Sequence, residues 1–264
     1  MIRWGLMLLL TFAAVPVTLA AVKGEEVQYK AGNTVLKGYL AYDDAVKGKR
    51  PGVLVVHEWW GHNEYARERA RMLAGLGYTA LALDMYGEGH QAHHPDEAGK
   101  FSGEVRKNLA LAKQRFDAAQ HVLTKHPTVD GKNIAAIGYC FGGAIVLEMA
   151  RQGENLKGVV SFHGSLNTEQ PAKAGKLKAR MLVLTGEADP FVPAEQVAAF
   201  KKEMDAANAN YRVIAYPGAK HAFTSKGADE LGEKFKLPLA YNADADQKSW
   251  AEMQAFFKEI FAKK

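Results

Sequence analysis

The sequence predicts a single α/β domain with a mostly parallel central sheet and helices on both faces. Three observations carry this. Short, continuously apolar runs, the mark of strands buried on both faces, recur along the chain at 53–56, 78–83, 134–137, 158–162, 181–185 and 212–216. Stretches with helical spacing lie between most of them, and alternating strands and helices call for a parallel sheet with crossovers. The composition is ordinary: 264 residues, 48% hydrophobic and 24% charged, which excludes disordered, collagen-like and coiled-coil classes.

The elements follow in order. Val27–Lys30 and Thr34–Leu40 form two strands joined by a turn at Gly32-Asn33. After Pro51-Gly52 comes the buried strand Val53–Val56. A helix from Asn63 to Leu76 puts Ala66, Ala70, Leu73 and Ala74 on one face and pairs Glu64 with Arg67 and Glu68 with Arg71 on the other. Tyr78–Leu83 is the next strand. One long helix is expected from about Glu104 to Lys125, because Val105, Leu109, Ala112, Phe116, Ala119 and Leu123 step by four and three. Strand Ile134–Ile137 leads through a glycine-rich turn into the apolar helix Ala144–Arg151. A helix from about Pro193 to Ala207 separates the last two strands, and a final helix carries Trp250, Met253, Phe257 and Ile260 on one face. No repeat, low-complexity stretch or linker divides the chain.

The charge is +5, from 34 Lys and Arg against 29 Asp and Glu, with no run of five like charges. That gives no footing for a nucleic-acid-binding arm. Arg3 precedes an apolar stretch from Leu6 to Val17, broken only by Thr11, with Thr18 and Ala20 following as small residues. This reads as a secretory signal cleaved after Ala20, leaving one domain over residues 21–264. A membrane anchor would need about 20 apolar residues, and this run is shorter and contains Pro16. Export, most simply to a periplasm and otherwise to the medium, places the chain in an oxidising compartment with one cysteine, Cys140.

The neighbourhood of that cysteine is informative. Gly138-Tyr139-Cys140-Phe141-Gly142 lies where a buried strand passes into a helix. This is the nucleophile-elbow pattern with Cys in place of Ser. Small flanking residues let strand and helix pass closely, the helix N-terminus favours a thiolate, and the Phe141 amide is placed to donate to an oxyanion. Such an elbow requires an acid and then a histidine after later strands. Asp189 follows the strand at 181–185 and His221 the strand at 212–216. In this arrangement His221 takes the thiol proton and Asp189 orients its ring. The loop His57-Glu58-Trp59-Trp60-Gly61 after the strand at 53–56 supplies the second oxyanion amide, at Trp59. Glu58 is costly to bury unless paired or protonated; the plain alternative is a salt bridge to a nearby Arg or Lys.

Together these residues resemble the dienelactone hydrolases, or carboxymethylenebutenolidases, a family of the α/β-hydrolase fold. The resemblance runs from about Val27 to the C-terminus. It rests on H-E-x-x-G at 57–61, D-x-Y at 84–86, G-Y-C-x-G-G at 138–143, G-x-x-D-x-x-V-P at 186–193 and H-x-F at 221–223. It implies a Cys140–Asp189–His221 triad, and a Glu58 that swings toward the thiol and deprotonates it when substrate binds. Cys140 would then rest as a poorly reactive thiol, which suits an exported enzyme. Founding members carry an arginine in an H-x-F-x-R pattern; Ser225 stands there in this chain, with Lys226 beside it. Lys226 and Tyr86 are therefore expected to contact substrate, Lys226 without the bidentate grip of a guanidinium. Arg106 and Lys107 lie in a segment able to cap the site.

The expected function is hydrolysis of a carboxylic ester or lactone, with no cofactor, no metal, no nucleic acid and no membrane association after signal removal. The partner is a small-molecule substrate; a monomer is expected, although nothing in the sequence sets the oligomeric state. Two rival readings stand beside it: a non-catalytic small-molecule binder on the same scaffold, and an acyl transferase. His90, His93 and His94 are expected on the active-site rim rather than around a metal, and His163 as a structural histidine.

Overall fold

A computed structural model describes residues 22–262; the signal segment and its cleavage point lie outside them. Eight strands form one sheet: β1 (Val22–Ala31), β2 (Thr34–Asp43), β3 (Arg50–Val56), β4 (Thr79–Leu83), β5 (Val129–Tyr139), β6 (Gly158–Phe162), β7 (Arg180–Gly186) and β8 (Tyr211–Tyr216). Their order is β1-β2-β4-β3-β5-β6-β7-β8. β1 and β2 make the expected hairpin, with Ala31 opposite Thr34, and β2 pairs antiparallel with β4. From β4 to β8 every pairing is parallel.

The strand period of two sorts the core into two layers. Leu54, Val56, Leu81, Leu83, Ala136 and Val183 point to one face. That face is covered by α3 (Leu109–Lys125), α4 (Phe141–Arg151) and α5 (Ala194–Ala206). Val53, Val55, Ala80, Ala82, Ile137 and Leu184 point to the other, beneath α1 (Glu64–Gly75) and α7 (Ala243–Phe261). A sheet buried on both faces needs strands that are apolar throughout, and these residues are essentially solvent-free.

The long helix expected from Glu104 to Lys125 is two helices, α2 (Pro95–Lys107) and α3. The break is Asn108, at φ −121° and ψ 81°, whose side chain accepts the Leu111 amide and so starts α3 afresh. The step from Val105 to Leu109 keeps the helical period across this break, so periodicity alone conceals it. α2 starts well upstream, capped by His94, with Pro95 in its first turn followed by Asp96 and Glu97. A short helix, α6 (Ala228–Phe235), follows the loop carrying His221; the sequence reading did not include it.

Because β3 to β8 run parallel, the loops after them emerge along one edge of the sheet. That edge is where open α/β sheets place their sites.

Candidate active site

Cys140 stands between the last residue of β5 and the first of α4, with φ 51° and ψ −113°. A non-glycine residue here carries roughly 1–3 kcal/mol of backbone strain, which persists only where its surroundings enforce it. The enforcement is close packing. A Cβ on Gly142 would collide with the carbonyl oxygens of Val56 and His57, and one on Gly138 with the backbone of Gly142. The glycines flanking Cys140 are thus required by the approach of α4 to β3 and β5.

Asp189 and His221 meet as expected. His221 Nδ1 donates to Asp189 Oδ2 at 2.8 Å, and the other carboxylate oxygen accepts the Phe191 amide at 2.8 Å. Both residues are buried. Burial opposes charging the His221 ring, but Cys140 on one side and Asp189 on the other outweigh it and raise its pKa to about 10. The raise depends on charge at Cys140, so what the site stabilises is the imidazolium paired with that charge. Phe191 stands edge-on to the His221 ring, with centroids 5.0 Å apart, and is 48% exposed.

Glu58 is buried, and among the described residues its Oε1 has no hydrogen-bond partner. Among the described residues Glu58 forms no salt bridge of the kind considered from sequence. Burial raises its pKa to about 7, against the opposing pull of His221 and Arg69. A carboxyl in this state exchanges its proton near neutrality.

The loop carrying Glu58 and Trp59 is fixed from behind by His57. Its Nδ1 lies 2.6 Å from the Glu58 carbonyl, so that nitrogen carries the proton; its Nε2 accepts the Met85 amide at 3.2 Å. These partners require a neutral ring, and burial lowers its pKa accordingly. His57 is packed against the rings of Tyr86 and Phe141. The turn from Tyr86 to Gly89 is itself held by Asp84, whose carboxylate accepts the amides of Lys37, Tyr86, Gly87 and Gly89. Among the described residues, neither the Trp59 nor the Phe141 amide donates to a protein acceptor. Both are free to donate to a substrate oxygen.

Tyr86 and Lys226, expected from the sequence to contact substrate, lie in different surroundings. Tyr86 is buried and is not among the residues lining the cavity above Cys140; its hydroxyl donates to the Trp59 carbonyl at 2.9 Å, bracing the loop that carries Glu58 and Trp59. Lys226 is exposed and also absent from the lining, because the chain turns tightly after His221, with Ser225 N bonding Ala222 O and Ala228 N bonding Ser225 O. Arg106, from α2, lines the cavity. Its segment was singled out in the sequence, but its place was hidden by the unrecognised break at Asn108. The cavity measures about 330 Å³ and includes Trp59, Cys140, Phe191, His221 and Leu239 in its wall. A wider cleft of about 600 Å³ continues past Trp59, Ser102 and Arg106.

Of the three histidines expected on the rim, His94 caps α2 and His90 stacks on Phe101. Among the described residues no group of His, Cys, Asp or Glu is arranged to hold a metal ion.

A sheet of this order, with an elbow after β5, an acid after β7 and a histidine after β8, defines an α/β-hydrolase fold. Residues 36–261 match the model of the dienelactone hydrolase family, and the chain belongs to that family of hydrolases. It is 38% identical to a solved structure titled a dienelactone hydrolase-like promiscuous phosphotriesterase, P91, from metagenomic libraries. That match covers 92% of this chain and 100% of the other, with a TM-score of 0.85. A Yersinia pestis protein named "Putative carboxymethylenebutenolidase" is 29% identical over 85% of this chain and 84% of its own. A solved esterase of Thermogutta terrifontis, 19% identical with a TM-score of 0.60 over 90% of this chain and 92% of its own, shares the fold.

Proposed function

We propose that this chain is an exported hydrolase of carboxylic esters or lactones with Cys140 as its nucleophile. The observation that supports this best is the strained elbow at Cys140 facing a His221 that is already bonded to Asp189. In this reading Cys140 Sγ attacks the substrate carbonyl, and its proton passes to His221. The amides of Phe141 and Trp59 receive the oxyanion. As the tetrahedral intermediate collapses, the C–O bond breaks and His221 returns its proton to the departing alkoxide. A thioester on Cys140 remains. Water then attacks this thioester with His221 as base, the carboxylic acid leaves and the thiol is restored.

Glu58 provides a second proton acceptor in the same buried space. Its near-neutral pKa suits a group that takes the thiol proton only when substrate has changed its surroundings. Export rests on the N-terminal sequence, with its apolar Leu6–Val17 segment and small residues before Ala21. Among the described residues no helix is long and apolar enough to cross a membrane.

The test is hydrolysis of p-nitrophenyl acetate, simple lactones, a dienelactone and a phosphotriester by wild type and Cys140→Ala. The last substrate is included because the 38%-identical relative carries that activity in its title. The reading expects ester or lactone turnover in wild type and none in the variant. Equal inertness of both proteins across the panel would instead favour a binding protein.

A further inference from the structure

Beneath Cys140 runs a buried hydrogen-bonded chain that the reaction described above does not use. The Cys140 amide donates to His163 Nδ1 at 3.1 Å, sharing its proton with the Phe162 carbonyl at 3.0 Å. His163 Nε2 lies 2.7 Å from Thr224 Oγ1, and that hydroxyl lies 2.6 Å from the Tyr65 hydroxyl. His163 bonds two of these groups directly and reaches Tyr65 through Thr224, and the three come from separate segments. Cys140 is the elbow itself, Thr224 lies three residues beyond His221, and Tyr65 begins α1 just after the loop bearing Glu58 and Trp59.

The direction of the chain at His163 can be derived. A backbone amide can only donate, so His163 Nδ1 has no proton and Nε2 must carry it. Nε2–H therefore donates to Thr224 Oγ1, and the bond between the Thr224 and Tyr65 hydroxyls is compatible with either one as donor. A second proton on the ring would sit on Nδ1 and face the Cys140 N–H. His163 is fully buried and held at φ 41°, with its ring edge-on to that of His221 at 5.3 Å. The carbonyl of Thr224 is bound as well, by Arg69 Nη2 at 2.6 Å, and Arg69 is itself anchored on Asp246 at 2.7 Å. The far end of the chain is therefore rigid.

We propose that His163 is a positioning residue for catalysis, which as the neutral Nε2–H tautomer ties the Cys140 elbow to the His221 loop and sets the approach of thiol to imidazole. It touches no reacting atom. Its effect is on the distance and angle between Sγ and the His221 ring, and displacements of about 1 Å at such a pair cost on the order of a hundredfold in rate. The role rests on Cys140 being the nucleophile, so its test needs a readout that does not depend on hydrolysis.

That readout is alkylation of Cys140 by iodoacetamide across pH, in which the thiolate sulfur displaces iodide. His163→Phe keeps the ring volume and removes both nitrogens. It is expected to slow alkylation at pH 7 by about tenfold or more and to lower kcat for p-nitrophenyl acetate in parallel, leaving KM within about twofold. The alkylation profile should move to higher pH by about one unit as the pairing with His221 loosens. His163→Asn, whose side-chain oxygen can replace Nδ1 as acceptor of the Cys140 amide, should restore much of the rate. A merely structural residue would change melting temperature without this pattern. Should His163→Phe fail to fold, Thr224→Val cuts the same chain at its far end, with Thr224→Ser as the rescue. Alkylation by a folded His163→Phe or Thr224→Val with the rate and pH profile of wild type would overturn the proposal. A Cys140→Ala variant that still hydrolyses esters would defeat the nucleophile reading alone, since alkylation would still report the geometry.

Discussion

Asp189 and His221 are joined through Oδ2 and Nδ1 at 2.8 Å, with the second Asp189 oxygen committed to the Phe191 amide. The carboxylate therefore has no freedom to leave the ring, and it fixes the tautomer that presents Nε2 toward Cys140. Asp189→Asn preserves shape but can donate toward Nδ1, which favours the wrong tautomer. kcat should fall by about a thousandfold or more with little change in melting temperature. Steady-state kinetics beside a thermal melt check this.

Glu58 yields a prediction with a definite sign. Its folded-state pKa of about 7 lies above the ordinary carboxylate value of 4.5. Between those values the folded chain holds a proton that the unfolded chain has released, so this group makes stability fall as pH rises. Glu58→Gln removes that loss. The variant should match wild type in stability near pH 4 and exceed it by roughly 1–3 kcal/mol at pH 8. Denaturant unfolding at the two pH values measures the difference.

The same substitution separates the two proton acceptors. In wild type kcat/KM should rise with pH through about 7, as Glu58 ionises. In Glu58→Gln this limb should vanish and the maximum should fall, because an amide cannot take the thiol proton. A pH–rate profile in which the limb survives would leave Glu58 with no part in proton transfer.

Tyr86→Phe removes the one hydroxyl bracing the Trp59 carbonyl. The loop carrying Trp59 retains His57 and the Asp84 turn, so the loss should be modest: kcat down by about three- to tenfold, corresponding to one hydrogen bond, with KM little changed. A large rise in KM would instead mean that Tyr86 contacts substrate.

Arg106 stands in the wall of the cavity but is an exposed residue. Arg106→Gln should raise KM for esters bearing a carboxylate by up to about fivefold, the scale of a solvent-exposed ion pair. Neutral esters should be unaffected.

Much of this arrangement could be read from the chain because its signals are local. The buried strands announce themselves as unbroken apolar runs, and the elbow is written into Gly138-x-Cys140-x-Gly142, where packing tolerates nothing larger. Asp189 and His221 were legible by order alone, each following a strand. The misreadings arose where period and type mislead. Val105 and Leu109 keep helical spacing across Asn108, so the break between α2 and α3 was masked, although Pro95-Asp96-Glu97 marked the true start of α2. Lys226 stands in a tight turn and is exposed, a placement its charge and its nearness to His221 in sequence do not reveal. His57 and His163 were not legible as positioning groups, because their partners lie in other segments: the Met85 amide for one, Thr224 for the other. Only the pairing of the Glu58 loop with its neighbours and of β6 with its flanking strands brings those atoms within reach.

The central claim is that the acyl group passes through a covalent bond to Cys140. Mixing the purified protein with a slowly turned-over activated ester, quenching in acid and recording the intact mass tests it most directly. A species heavier by one acyl group is expected, mapped to Cys140 and absent from Cys140→Ala, which should also be inactive. Ester turnover that persists in Cys140→Ala would contradict it.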